Sequence, residues 1–186
     1  MTAKHDPMIP ETLLPEPDQL LRSLARATRA WLDQSDINAP LVVGIQTGGL
    51  WVAEALADAL AIDSSIGRLD IGFYRDDYAV AGLAPAQPPS ALPWPIEDRH
   101  ILLVDDVLHT GRTVRAALNE LFDYGRPASI SLAILVVRDG RELPIEASAF
   151  GAEIKIPAGY ELKLRGPSPL RLELVAAPAR RSQRHV

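Results

Sequence analysis

Ile101-Leu102-Leu103-Val104 is an apolar run of strand length that passes directly into two adjacent carboxylates, Asp105 and Asp106. A short Gly/Thr stretch follows, and beyond it Val114, Ala117, Leu118, Leu121 and Phe122 recur at helical spacing. A buried strand therefore ends in an acid pair, and a helix opens just after it. Open α/β sheets place their ligands at the carboxyl ends of their strands. There the first amides of the helix are free to hold a phosphate, assisted by the helix dipole. Thr110 and Thr113 add hydroxyl donors, and Gly111 lets the backbone come close. Asp105 and Asp106 stand too near to be phosphate ligands. They suit neutral ribose hydroxyls, or a Mg²⁺ held largely through the substrate. A sugar phosphate is the simplest ligand that satisfies both halves.

Other phosphate motifs fit less well. A nucleotide P-loop needs Lys where Gly111-Arg112-Thr113 has Arg, and a dinucleotide fingerprint needs three spaced glycines. The plain alternative is a buried strand ending in a solvated Asp-Asp turn. The stretch from Ile101 to Thr113 resembles the phosphoribosyl-pyrophosphate (PRPP) signature of type I phosphoribosyltransferases. That resemblance implies an α/β fold with a central, mostly parallel sheet, helices on both faces and a small hood of short strands.

The 186 residues suffice for one such domain. Zero cysteines exclude disulfides, thiolate metal sites and cysteine nucleophiles. No apolar stretch has membrane-spanning length and no signal-peptide core opens the chain, so a cytoplasmic protein without membrane contact is expected. A net charge of −5 argues against a large nucleic-acid footprint, DNA included.

Proline-rich residues 1–17 read as a mobile arm, residues 18–176 as the domain, and basic residues 177–186 as a disordered tail. Leu20, Leu21, Leu24, Thr28, Trp31 and Leu32 mark an amphipathic helix from Asp18 to Gln34, whose other face carries Arg22, Arg26 and Arg29. Leu41 to Ile45 is a buried strand, and Val52, Ala53, Leu56, Ala59 and Leu60 line the helix after it. Leu69 to Tyr74 alternates as a strand, and the proline-rich stretch 75–95 is a long loop. Ile130 to Val137 is another buried strand, and strand-like runs follow, including Glu161 to Leu164 and Leu170 to Val175.

Phosphoribosyl transfer also needs a pyrophosphate cradle, a base pocket and a barrier to water. Gln46-Thr47-Gly48-Gly49 is a strand-to-helix turn whose amides suit pyrophosphate, or an ordinary Gly-rich turn. Arg75 opens the long loop, which reads either as a lid carrying that cation to the pyrophosphate or as a solvated turn. The segment from Arg138 to Pro144 follows the last long strand and is placed to wall a base pocket, or is a polar loop with a local Arg–Glu pair.

These segments together resemble the pyrimidine operon regulators that double as uracil phosphoribosyltransferases, the PyrR family. The matching pieces are Gly44-Ile45-Gln46-Thr47-Gly48-Gly49, Phe73-Tyr74-Arg75-Asp76-Asp77, the stretch from Leu103 to Thr113, Gly125-Arg126-Pro127 and Arg141-Glu142-Leu143-Pro144. The resemblance implies uracil plus PRPP giving UMP and pyrophosphate, with Mg²⁺ as cofactor. It makes Asp105, Asp106 and Arg75 catalytic, with Mg²⁺ near the two acids. It gives the ribose phosphate to Asp105, Asp106, Val107, Leu108, His109, Thr110, Gly111, Arg112 and Thr113. Pyrophosphate falls to Gln46, Thr47, Gly48, Gly49 and Arg75, and the base to Val137, Arg138, Asp139 and Arg141. A homo-oligomer, dimer or tetramer, is expected. Gly48 stands where many members carry Arg, and Gly140 where many carry His. Leader mRNA is a further partner in this family, and the Arg22, Arg26 and Arg29 stripe reads as an RNA contact or as a solvated helix face. A purine or orotate transferase, or an RNA regulator with vestigial activity, are the alternatives.

Overall fold

The computed structural model describes residues 14–72 and 89–177. The arm before residue 14, Arg75 with the loop up to residue 88, and the tail after residue 177 lie outside the described residues. The elements run α1 (Pro17–Gln34), β1 (Leu41–Ile45), α2 (Gly48–Leu60), β2 (Gly67–Leu69), β3 (His100–Leu108), α3 (Arg112–Tyr124), β4 (Ser129–Arg138), β5 (Ala149–Ile154), β6 (Tyr160–Arg165) and β7 (Arg171–Ala176). Strands β1 to β5 form one parallel sheet in the order β2-β1-β3-β4-β5. The antiparallel pair β6–β7 stands apart as a hood.

Alternation along the strands sends side chains to two separate cores. Val42, Leu102, Val104, Ala133 and Leu135 pack with α1, α2 and the hood residues Leu162 and Leu164. Leu41, Val43, Ile45, Ile101, Leu103, Leu132 and Ile134 pack with Val114, Ala117 and Leu121 of α3. A sheet covered on both faces needs near-continuous apolar strands, and β1 is buried along its whole length. Where α1 crosses β5, a Cβ at Gly151 would fall 2.6 Å from the Leu135 carbonyl oxygen and 2.8 Å from that of Leu20.

Several boundaries differ from the sequence reading. Pro17 belongs to α1, in its first turn, where the missing N–H costs nothing. Strand β3 runs on to Leu108, so both acids lie within the strand rather than after it. Strand β2 ends at Leu69, short of the expected alternation to Tyr74. In α2, Ala57 takes an inward position and Ala59 faces solvent. Phe122 is 57% exposed, since one residue past buried Leu121 the helix has turned about 100° away from the sheet. Trp31, at 36% exposure, lies at the rim of α1, and its indole Nε1–H donates to Ser131 Oγ at 3.0 Å.

Candidate active site

The chain goes from β1 outward to β2 and then back across β1 to β3, so the strand order reverses between β1 and β3. Such a reversal sends the two exit loops apart and opens a crevice at the carboxyl edge. The pairing of β1 with β3 ends at Gly44↔Val104, whereas β3 remains paired with β4 as far as Leu108↔Val137. Asp105 and Asp106 begin where β1 leaves off.

The N-terminus of α2 fills the gap. A Cβ at Gly49 would come within 2.6 Å of the Val104 carbonyl oxygen and 3.0 Å of Asp105 Oδ1. A Cβ at Gly48 would lie 2.6 Å from Asp106 Cγ. At Gly49 the obstacle is backbone, so glycine is needed there, whereas at Gly48 it is the movable Asp106 carboxylate, which lies against the positive end of α2. Asp105 is 1% exposed and its Oδ1 accepts the Asp106 amide at 3.0 Å. Asp106 is half-buried and accepts the Val107 amide through Oδ1 at 3.0 Å. The turn Gln46–Thr47 contains a cis peptide bond, and the Gln46 amide donates to the Leu69 carbonyl at 2.8 Å.

The second helix start lies beyond β3. Gly111, with φ +91°, is the N-cap of α3, and Thr110 Oγ1 accepts the Arg112 amide at 3.2 Å. Neither α2 nor α3 has an N-cap side-chain bond or an acidic residue in its first turn, whereas α1 carries Asp18 there. Two helix ends with amides not spoken for by side chains of their own caps thus flank the acid pair.

The segment after β4 folds back onto the loop 109–113. The amides of Glu142 and Leu143 donate to the Thr110 carbonyl at 3.1 and 3.0 Å, and Arg141 Nη1 donates to the His109 carbonyl. Arg112 pairs with Glu142 at 2.8 Å through both Nε and Nη2. The Arg–Glu pair is therefore not local to the Arg138 to Pro144 loop; it joins that loop to α3. Arg138 Nη1 donates to the Tyr160 carbonyl of the hood at 3.4 Å, and its Nε is buried without a hydrogen-bond partner among the described residues. Asp139 is exposed, and Val137 is half-buried. The His109 ring lies over Gly140, where a Cβ would fall 2.7 Å from Nε2. Burial lowers the His109 pKa below its ordinary value, aided by the Arg138 cation and opposed by Glu142, Asp139 and Glu161.

The structure thus brings the turn 46–49, the acids 105–106, the loop 107–113 and the segment 137–141 to one edge of the sheet. Arg22, Arg26 and Arg29 do not belong to this cluster. They lie exposed on α1, and Arg29 Nη2 donates to the Leu60 carbonyl at 2.9 Å, capping the end of α2. Sequence reasoning missed the root of the long loop. There Arg68 bridges Ala91, the Asp70 amide donates to Ser90 Oγ at 2.7 Å, and Ser90 Oγ donates to Glu120 of α3. Single polar residues far apart in the chain leave no periodic signal for such a contact. Among the described residues no helix is long and apolar enough to cross a membrane, and no group of three or more His, Asp or Glu is placed to hold a metal.

Comparison with known proteins gives the family. Residues 17–164 match the model of the phosphoribosyl transferase domain family. The chain is 52% identical to the bifunctional protein PyrR of Pseudomonas fluorescens over 161 residues, which cover 87% of this chain and 96% of that one. It is also 52% identical to the bifunctional protein PyrR of Pseudomonas entomophila, covering 86% of this chain and 93% of that one. Among solved structures, a hypoxanthine-guanine phosphoribosyltransferase from Bacillus anthracis superposes with a TM-score of 0.59 at 16% identity, covering 76% of this chain and 80% of that one. The enzyme of Leishmania tarentolae in complex with GMP gives 0.58 at 19% identity, covering 77% and 81%. At that level of identity the likeness speaks to the fold alone.

Proposed function

Because the chain belongs to the phosphoribosyltransferase family, and within it to the PyrR proteins, we propose that it transfers the phosphoribosyl group of PRPP to uracil, giving UMP and pyrophosphate. The observation that carries this reading is the crevice between β1 and β3, where two helix N-termini flank the Asp105–Asp106 pair. One helix end serves each phosphate group of PRPP, and the acids between them serve the ribose.

Residues 107–113 hold the 5′-phosphate, and Gln46 to Gly49 hold the pyrophosphate. Asp105 and Asp106 hold the ribose hydroxyls and favour the positive charge that develops on the sugar as pyrophosphate departs. The base is walled by Val137, Arg138 and Asp139, where the buried Arg138 Nε is a donor in search of an acceptor. A uracil carbonyl supplies one. Catalysis is then positioning and electrostatic support, since pyrophosphate is already a good leaving group.

Mg²⁺ fits this donor set. Two adjacent carboxylates are too few to cage the ion, but they match one that is bound mainly through substrate oxygens. When bound, it offsets the repulsion between pyrophosphate and the Asp106 carboxylate at the start of α2. Arg75 would add a further cation to the pyrophosphate, and it lies outside the described residues.

The test is a base panel. Purified protein with PRPP and Mg²⁺ should release pyrophosphate with uracil and not with orotate, hypoxanthine or guanine. Turnover with a purine or with orotate would move the chain to another branch of the fold, and no turnover with any base would remove the enzymatic reading.

A second activity is favoured by the word bifunctional in the relatives' name, and the candidate is leader-mRNA binding. Arg22 and Arg26 are exposed on α1, but Arg29 is engaged as a cap, so one copy offers only a modest electrostatic term. A homo-oligomer, dimer or tetramer, would multiply it, and sedimentation checks that state. The cytoplasm is the compartment that holds these substrates.

A further inference from the structure

The family resemblance gives Arg141 to the base pocket; in the structure its guanidinium donates through Nη1 to the His109 carbonyl, and the next two amides, of Glu142 and Leu143, donate to the Thr110 carbonyl. Two consecutive carbonyls of the loop are thus drawn outward by one segment. A trans peptide is planar, with its N–H opposite its C=O. Pulling the His109 and Thr110 oxygens toward residues 141–143 therefore turns the amides of Thr110 and Gly111 the other way. Neither of those amides donates to another backbone carbonyl among the described residues. Gly111 at φ +91° supplies the left-handed step that lets successive amides converge into an anion-binding nest.

Glu142 adds a second restraint. It holds Arg112 at 2.8 Å, so the cation beside the loop is spent on the segment behind it. A Cβ at Gly111 would lie 3.3 Å from Leu143 Cβ and 3.5 Å from Ile145 Cβ, so the same segment also packs under the turn.

We propose that Arg141 is a positioning residue for 5′-phosphate binding, which presets the amides of the loop 109–113 from behind and does not read the base. The inference rests on the assignment of that loop to the 5′-phosphate. A ligand with this phosphate then meets amides already aimed, and avoids the cost of ordering the loop on binding.

The experiment measures binding of PRPP, pyrophosphate and uracil to wild type, Arg141→Gln and Arg141→Lys by calorimetry, uracil being titrated with pyrophosphate present. In Arg141→Gln, PRPP affinity should fall about tenfold, as for one lost charge-assisted bond. Pyrophosphate, held at the other helix start, should bind as in wild type, and Arg141→Lys should recover part of the loss. In steady state the PRPP KM should rise by more than kcat falls. Weakened uracil binding with unchanged PRPP affinity would return Arg141 to the base pocket and overturn the inference. Equal weakening of PRPP and pyrophosphate would mark general damage to the site and overturn it too. A wild-type protein that binds no PRPP would instead remove the transferase reading on which it rests.

Discussion

Gly48 lies so close to Asp106 that a Cβ built on it would sit 2.6 Å from the Asp106 carboxylate carbon and collide with its Oδ2. The bare glycine at the start of α2 thus leaves room for the second acid in the position it takes. Gly48→Ala should turn that carboxylate aside and lower turnover by no more than about tenfold, since the Asp106 side chain can give and many members of the family carry Arg at this position. The helix should not suffer, because alanine is the better helix former. Steady-state kinetics beside a thermal melt separates the two; full activity in this variant would mean the acid is free to move without consequence.

The acid pair itself gives a sharper outcome. Asp105→Asn with Asp106→Asn keeps the shape and the amide contacts but removes the charge. Turnover should drop by about a hundredfold or more while the melting temperature changes little. Near-normal activity would refute the role given to these residues.

Arg138 is the described residue whose buried nitrogen lacks a protein partner at the base wall. Arg138→Gln should raise the KM for uracil by about tenfold and leave PRPP binding near wild type, in line with one hydrogen bond from a charged group. A change confined to PRPP would show that this side chain serves the phosphates.

How much of this was readable in the sequence depends on the range of the interaction. The run from Ile101 to Thr113 announced strand, acids and helix start, because each obeys a local rule of periodicity or backbone freedom. The strand is longer than its apolar run, which stops at Val104, because pairing with β4 carries β3 on to Leu108. Phe122 fell at helical spacing, yet α3 covers the sheet with Val114, Ala117 and Leu121 and leaves that ring outside. The bonds from residues 141–143 to residues 109–110 could not be read, because polar contacts across such a separation follow from the folded shape.

His109 makes stability depend on pH. In the folded chain its imidazole holds a proton less readily than in the unfolded chain, where the ordinary value of 6.5 applies. As pH falls below 6.5 the unfolded chain takes up more protons, so this group lowers stability there and has no effect well above it. Thermal melts at about pH 7.5 and about pH 5.5 should show a larger loss for wild type than for His109→Gln. Equal losses would mean that other groups carry the dependence.

The α1 arginines test the regulatory reading. With Arg22, Arg26 and Arg29 all changed to Gln, transferase turnover should persist, and the lost cap on Leu60 should cost about 0.5–1 kcal/mol of stability. Filter binding to the operon leader across a salt series should show weak, salt-sensitive binding in wild type. A tight complex at physiological salt that disappears in the triple variant would make regulation the main activity.

The root of the long loop separates what the fold needs from what it can exchange. Gly72 and Pro89 flank residues 73–88, and the ladder step from Arg68 to Ala91 and the Asp70–Ser90 bond tie the two sides together outside that interval. The entropy of closing a chain segment grows by only about 0.6 kcal/mol for each doubling of its length. Exchanging the residues between 72 and 89 should therefore leave the sheet in place while removing Arg75, so that folding and the cation proposed for the pyrophosphate can be varied apart.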